Sequence, residues 1–206
     1  MGFFITFEGP DGSGKTTAAT GVYNRLLSEG YNVIYTREPG GINISEQIRD
    51  VILDPKNTEM DAKTEALLYA ASRRQHLVEK IIPSLKQGKI VICDRFVDSS
   101  LAYQGYARKL GIEEVYSINQ FAIENHLPDK TIFLDIDAQT GLDRISTRAN
   151  KDRLDQEALS FHNDVFEGYK VVMEMFKDRV VKVDATKTVE EVIELCYKEV
   201  LKVINV

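Results

Sequence analysis

The chain has 206 residues, 43% hydrophobic and 28% charged, which is enough to fill a hydrophobic core. A net charge of −6 argues against a general nucleic-acid binder, which carries a broad basic field, so any polyanion must be met by local arginines. No apolar run approaches the ~20 residues that a membrane helix needs, and the first residues carry no basic leader; the expected compartment is the cytoplasm, with no membrane partner. The cysteines, Cys93 and Cys196, make no metal motif and read as small buried hydrophobes. His76, His126 and His162 adjoin no Ser or Cys nucleophile and are assigned no chemistry.

Apolar runs at 3–7, 33–36, 90–93, 131–136 and 180–183 lack period-two alternation, as strands buried on both faces do. Helical patterns fill 15–28, 45–53, 61–86, 99–109, 112–125, 138–148, 159–176 and 189–203. Pro83 should kink or end the third of these, and Thr188 with Glu191 predicts a capping box on the last. Strand–helix alternation predicts an α/β fold: a five-stranded parallel sheet flanked by helices on both faces, as one domain over 1–206. Ligands of such sheets sit beyond the carboxyl ends of the strands.

After the first strand comes Gly9-Pro10-Asp11-Gly12-Ser13-Gly14-Lys15-Thr16, then Thr17. This spacing is a P-loop: backbone N–H groups turn inward around phosphate, and the following helix N-terminus adds partial positive charge. Lys15 reaches the β- and γ-phosphates and Thr16 supplies a hydroxyl to Mg²⁺. The motif implies nucleoside triphosphate binding and leaves the reaction open.

The second strand ends in Arg37-Glu38-Pro39-Gly40-Gly41, a sharp turn that sets an arginine at the crevice. The third ends in Asp94-Arg95, where an Asp suits a second contact to Mg²⁺ through water. A P-loop with two crevice arginines points to a second, phosphate-bearing substrate opposite ATP.

The segments 9–17, 37–41, Ala70-Ala71-Ser72-Arg73-Arg74 and 94–104 together resemble thymidylate kinase in its bacterial form, and the resemblance spans essentially the whole chain. It implies transfer from ATP to dTMP, giving dTDP, with Mg²⁺ and a homodimer. Arg37 and Arg95 would hold the dTMP phosphate, since guanidinium forks match phosphate oxygens, with Glu38 beside them. Tyr69 would stack on thymine and Arg73 would donate to its carbonyl, both on one helix face. Ser99 and Ser100 would lie near the base. Gln104, able to donate and accept, would read the imide edge and reject cytosine. Tyr103 would crowd the sugar 2′ position, and Asp11 would accept the 3′-OH. Phe96 stands where the family commonly has Tyr.

Residues 144–157, polar and mixed in charge, resemble the family's lid. No basic residue stands among Pro10, Asp11, Gly12 and Ser13, so the lid must bring the charge that assists transfer. Arg148 and Arg153 are the candidates, and Arg144 would stack on adenine. The loop 184–187 would touch adenine through its backbone.

Other readings stay open. A deoxynucleoside kinase would use the same P-loop with Glu38 as general base toward a hydroxyl. A nucleotide-binding switch would need Asn-Lys-x-Asp, whereas Asn150-Lys151-Asp152-Arg153 ends in Arg. A kinase for another nucleoside monophosphate, such as UMP or GMP, is a third reading, against which Gln104 with Arg73 and Tyr103 argue for thymine and deoxyribose.

Overall fold

Ile5 and Phe7 bury in one hydrophobic cluster, while Phe4, between them and Met1, buries in another. These residues belong to β1 (Phe3–Glu8), and β3 (Ile90–Asp94) repeats the division, with Ile90 and Ile92 on one face and Val91 and Cys93 on the other. The apolar runs fail to alternate because both faces of the sheet are covered. The computed structural model describes residues 2–146 and 152–205, with residues 138, 145 and 146 given by their backbone alone.

With β2 (Val33–Arg37), β4 (Lys130–Asp135) and β5 (Val180–Asp184), the sheet has the order β2-β3-β1-β4-β5 and every pairing is parallel. Asp94 lies beside Phe7 on one side and beside Arg37 on the other. The carboxyl ends of the three adjacent strands β2, β3 and β1 are therefore level. This register brings the P-loop, Arg37 and Asp94-Arg95 to one edge.

One face is covered by α1 (Lys15–Ser28) and α9 (Val189–Ile204), through Ala18, Val22, Leu26, Cys196 and Val200. The other is covered by α3 (Ala62–His76) and α6 (Ile112–Ile123), with Leu77, Phe96, Val115 and Ile123 in its core. A third cluster of Tyr103, Phe133, Phe161 and Tyr169 binds α8 (Leu159–Met175) to the segment after β3. Complete burial of a side chain such as Leu26 or Phe7 contributes about 1.5–3 kcal/mol. The remaining helices are α2 (Asn43–Leu53), α4 (Ile82–Lys86), α5 (Val97–Ser100) and α7 (Ala138–Ser146).

Two predicted helices differ from expectation in the same way. The helix expected over 61–86 starts where Asp61 caps the N–H groups of Lys63 and Thr64 at 3.0 and 3.1 Å. It then widens into a π-helical turn over Leu77–Ile81 before α4. Pro83 lies at the start of α4. A proline ring clashes with the carbonyl four residues back in an α-helix, and a widened turn just upstream accommodates it. The departure from α geometry therefore falls at 77–81 rather than at Pro83. The helix expected over 99–109 begins at Val97 and is π-helical over Leu101–Ala107, the stretch that carries Tyr103 and Gln104. The predicted Thr188–Glu191 capping box is present, and both cysteines are buried and unpaired. The helix expected over 138–148 is described as far as Ser146; positions 147 and 148 lie outside the described residues.

Candidate active site

Beyond the carboxyl ends of β1, β2 and β3 lies one cleft of about 320 Å³, walled by the P-loop, Arg37 to Pro39, α3 and the segment from Asp94 to Gln104. The P-loop needs its glycines for two reasons. Gly14 caps α1 at φ 86° with open space around it, so the backbone conformation alone requires glycine. Gly12 also has positive φ, and a Cβ there would come within 2.1 Å of the Gly141 carbonyl oxygen; a side chain would lift the loop off α7. The Lys15 ammonium lies across the loop, donating to the Pro10 carbonyl at 2.8 Å and approaching Ser13 Oγ at 3.5 Å. Burial, and then the charge of Arg95, pull its pKa down to about 8 against Asp11, Asp94 and Glu8.

Arg95 is the hub between the P-loop and the far wall. Its backbone sits in the left-handed region at φ 67°, a conformation costing a side-chain-bearing residue about 1–2 kcal/mol. Its N–H donates to the Phe7 carbonyl at 2.9 Å. Its guanidinium pairs with Asp11 and donates to Ser99 Oγ at 3.0 Å, Tyr169 Oη at 3.0 Å, Tyr103 Oη at 3.2 Å and the Gly9 carbonyl at 3.3 Å. Tyr103 in turn donates to Asp11 at 2.7 Å. Burial alone would raise the Asp11 pKa, but Arg95, Lys15 and the Tyr103 hydroxyl together hold it well below the usual carboxylate range. Asp11, expected at the sugar hydroxyl, is here the counter-ion of Arg95.

Beneath this hub lies Glu8, which sequence reasoning missed. Its carboxylate accepts from the N–H of Phe96 at 2.7 Å, from Ser99 Oγ at 2.6 Å and from Tyr169 Oη at 3.1 Å. Burial and the neighbouring Asp98 push its pKa up to about 7 against the pull of Arg95 and its hydrogen-bond donors. The signal was available: Glu8, like Asp94, is an acid closing an apolar strand. Tyr169 had no such signal, because only the fold brings α8 to β1.

Arg37 is placed at the cleft mouth, half exposed, with Nη2 at 3.0 Å from both oxygens of Glu46. Glu38 lines the cleft wall but is almost fully buried. One of its oxygens accepts from Arg73 Nε at 2.7 Å, and the other meets His76 Nδ1 at 2.9 Å. His76 continues to Thr36 Oγ1 at 2.6 Å. Both Glu38 oxygens are engaged within the protein, which removes the reading of Glu38 as a general base.

Tyr69, Arg73, Ser100 and Gln104 line the same cleft, as expected. Arg73 is 1% exposed. Besides Glu38 it donates to Ser100 Oγ at 3.0 Å, to the Phe96 carbonyl at 3.1 Å and to Asn119. Of the five N–H groups of a guanidinium, these contacts leave one for the cleft. Burial and the nearby Glu65 raise the Tyr69 pKa, so its ring stays neutral. Arg49, Tyr35 and Leu53 also line the cleft; no strand-end or spacing signal marks them.

Of the lid, residues 144–146 and 152–157 are described. Arg144 reaches the Gly12 carbonyl at 3.3 Å and the Ala185 carbonyl at 3.4 Å. Arg144, expected at adenine, thus joins the P-loop to the loop after β5, where a backbone contact to adenine was expected. Arg153, expected at the transferring phosphate, is instead 7% exposed, with Nη2 at 2.5 Å from Glu65 and Nε at 2.8 Å from the Ile52 carbonyl. Its guanidinium anchors the lid base to α2 and α3, where the buried Glu65 carboxylate holds it. Arg148 lies outside the described residues.

Mg²⁺ takes hard oxygen ligands, and the site offers them. Thr16 Oγ1 lies 2.5 Å from Asp94 Oδ2, while Asp94 Oδ1 is buried with no hydrogen-bond partner among the described residues. An orphaned carboxylate oxygen at the mouth of a P-loop fits a bound cation or its water.

The family model described as thymidylate kinase matches residues 7–195. A thymidylate kinase of a Geobacillus species is 57% identical over 202 residues, covering 97% of this chain and 96% of that one. One from Bacillus velezensis is 59% identical over 206 residues, covering 99% and 95%. Among solved structures, the thymidylate kinase of Ehrlichia chaffeensis superposes with a TM-score of 0.77 at 35% identity, covering 100% of this chain and 99% of that one.

Proposed function

Because the chain belongs to the thymidylate kinase family, we propose that it moves the γ-phosphoryl group of ATP onto the phosphate of dTMP, giving ADP and dTDP. The observation that carries this reading is the single cleft shared by a P-loop and a wall of Tyr69, Arg73, Ser100 and Gln104, with Arg95 between them. The donor phosphates lie in the P-loop under Lys15, and the acceptor base lies against Tyr69 and Gln104. Arg95 and Arg37 hold the acceptor phosphate. That phosphate is already anionic at neutral pH, so it needs no general base; it needs cations that offset its repulsion from ATP. Arg95 meets this need and Asp11 aligns it. Tyr103, packed against Asp11, sets the space at the sugar.

Mg²⁺ held by Thr16 and Asp94 would supply charge neutralisation at the β- and γ-phosphates. Residues 144–157 act as the lid of one kinase domain spanning 1–206, with Arg144 at the adenine and Arg148 as the remaining candidate for the assisting charge. Cytoplasmic placement follows from the ATP and dTMP it would use.

A homodimer is part of the proposal. Phe121 on α6 is 90% exposed and Leu67 on the adjacent α3 is 55% exposed, and large apolar side chains this open favour a partner surface. A panel of nucleoside monophosphates with ATP and Mg²⁺ tests the substrate. The expected order is dTMP first, dUMP weaker and ribonucleotides poor; equal turnover of UMP or GMP would overturn it.

A further inference from the structure

We infer that Glu65 is a positioning residue for base selection, fixing which way round Gln104 presents its amide to the acceptor base. This rests on the reading above that Gln104 faces the base.

Glu65 lies in the first turn of α3 and is fully buried. Three side chains donate to it: Gln104 Nε2 at 2.8 Å, Arg108 Nη2 at 3.2 Å and Arg153 Nη2 at 2.5 Å. A carboxylate whose oxygens already take N–H groups from two guanidiniums serves as an acceptor. A glutamine beside it must therefore turn its NH₂ toward it, and the alternative flip would set two acceptor oxygens against each other. Gln104 is 1% exposed and lines the cleft. With one N–H held by Glu65, its carbonyl oxygen and second N–H remain, and Oε1 accepts from no described residue.

That remainder is an acceptor beside a donor. A thymine or uracil ring offers the complement, an N3–H donor beside a carbonyl acceptor. Cytosine offers a bare N3 beside an amino group, so each of its groups would oppose its like. A free glutamine could flip and accept either base. Glu65, two turns before Arg73 on the α3 face that also bears Tyr69, removes that freedom.

Glu65 also holds Arg108 and Arg153, so the test must separate positioning from support. Specificity constants for dTMP and dCMP would be measured in the parent, Glu65→Gln, Gln104→Leu and the double variant, each checked by thermal unfolding. Losing one fixed hydrogen-bond orientation should lower the dTMP:dCMP ratio roughly tenfold or more in each single variant. In Glu65→Gln the loss should fall mainly on KM. The Glu65 change should have no further effect on the ratio once residue 104 is Leu. An undiminished ratio in Gln104→Leu overturns the base-reading role and this inference with it. A lowered ratio there with an unchanged ratio in Glu65→Gln, or an equal Glu65 effect in both backgrounds, overturns the inference alone. If Glu65→Gln does not fold, the parent protein decides. The side-chain amide resonances of Gln104, identified by their loss in Gln104→Leu, should exchange slowly with solvent and show one proton shifted downfield. Rapid exchange without that shift contradicts a fixed amide.

Discussion

Replacing Arg95 with alanine perturbs the hub of the site and little else in the sheet. The side chain is 18% exposed and pairs with an Asp11 of equal exposure, so its loss is felt in a largely desolvated place. In the bound state its fork would make two charge-assisted hydrogen bonds to the acceptor phosphate, each contributing about 1.5–3 kcal/mol. The sum, about 3–6 kcal/mol, corresponds to a fall of roughly 10²–10⁴ in kcat/KM for dTMP. Arg95→Lys keeps the charge but loses the fork that reaches Asp11, Ser99 and Tyr169 together, and should recover only part of this. ATP affinity should change little, since Lys15 and the P-loop backbone are intact. The assay is steady-state turnover with dTMP varied at saturating ATP, beside nucleotide binding by calorimetry. An Arg95→Ala enzyme within about threefold of the parent, well under the ~1.4 kcal/mol of a tenfold change, would refute the assignment of Arg95 to the acceptor phosphate.

Two titrations follow from the same hub. The folded-state pKa of Lys15 is depressed to about 8, so its charge is lost as pH rises through 8 rather than above 10. ATP binding to the free enzyme should weaken across that range, and a Lys15→Arg variant, always charged, should lack the bend; a flat profile in the parent contradicts the burial argument. Glu8 is raised from 4.5 to about 7. The folded state therefore binds more protons than the unfolded state between these values, and the stability Glu8 contributes is full below 4.5 and lost as pH rises through 7. Urea unfolding of Glu8→Gln should lose stability less than the parent over this window, and parallel curves would rule the shift out.

The fold was legible because two-face burial leaves a plain mark, apolar runs of strand length separated by helical periods. The π-helical turns left none, because shifting one hydrogen bond along the helix barely alters the hydrophobic pattern. Residues next to strand ends were found by position: Lys15, Arg37, Asp94 and Arg95 all reach the cleft. Their partners were not. Tyr169 meets Glu8 across 161 positions of chain, and Arg153 meets Glu65 across 88, distances at which sequence spacing carries no geometry. The expectation for Arg153 went astray for that reason, since a charged residue in a polar segment gives no sign that a buried carboxylate awaits it.

The most direct test of the central claim follows the phosphoryl group itself. The protein would be incubated with ATP labelled at the γ-phosphate, Mg²⁺ and either dTMP or thymidine, and the products separated. The account requires label in the terminal phosphate of dTDP, with no labelled product from thymidine. Label in dTMP made from thymidine, or only as free phosphate, would contradict it.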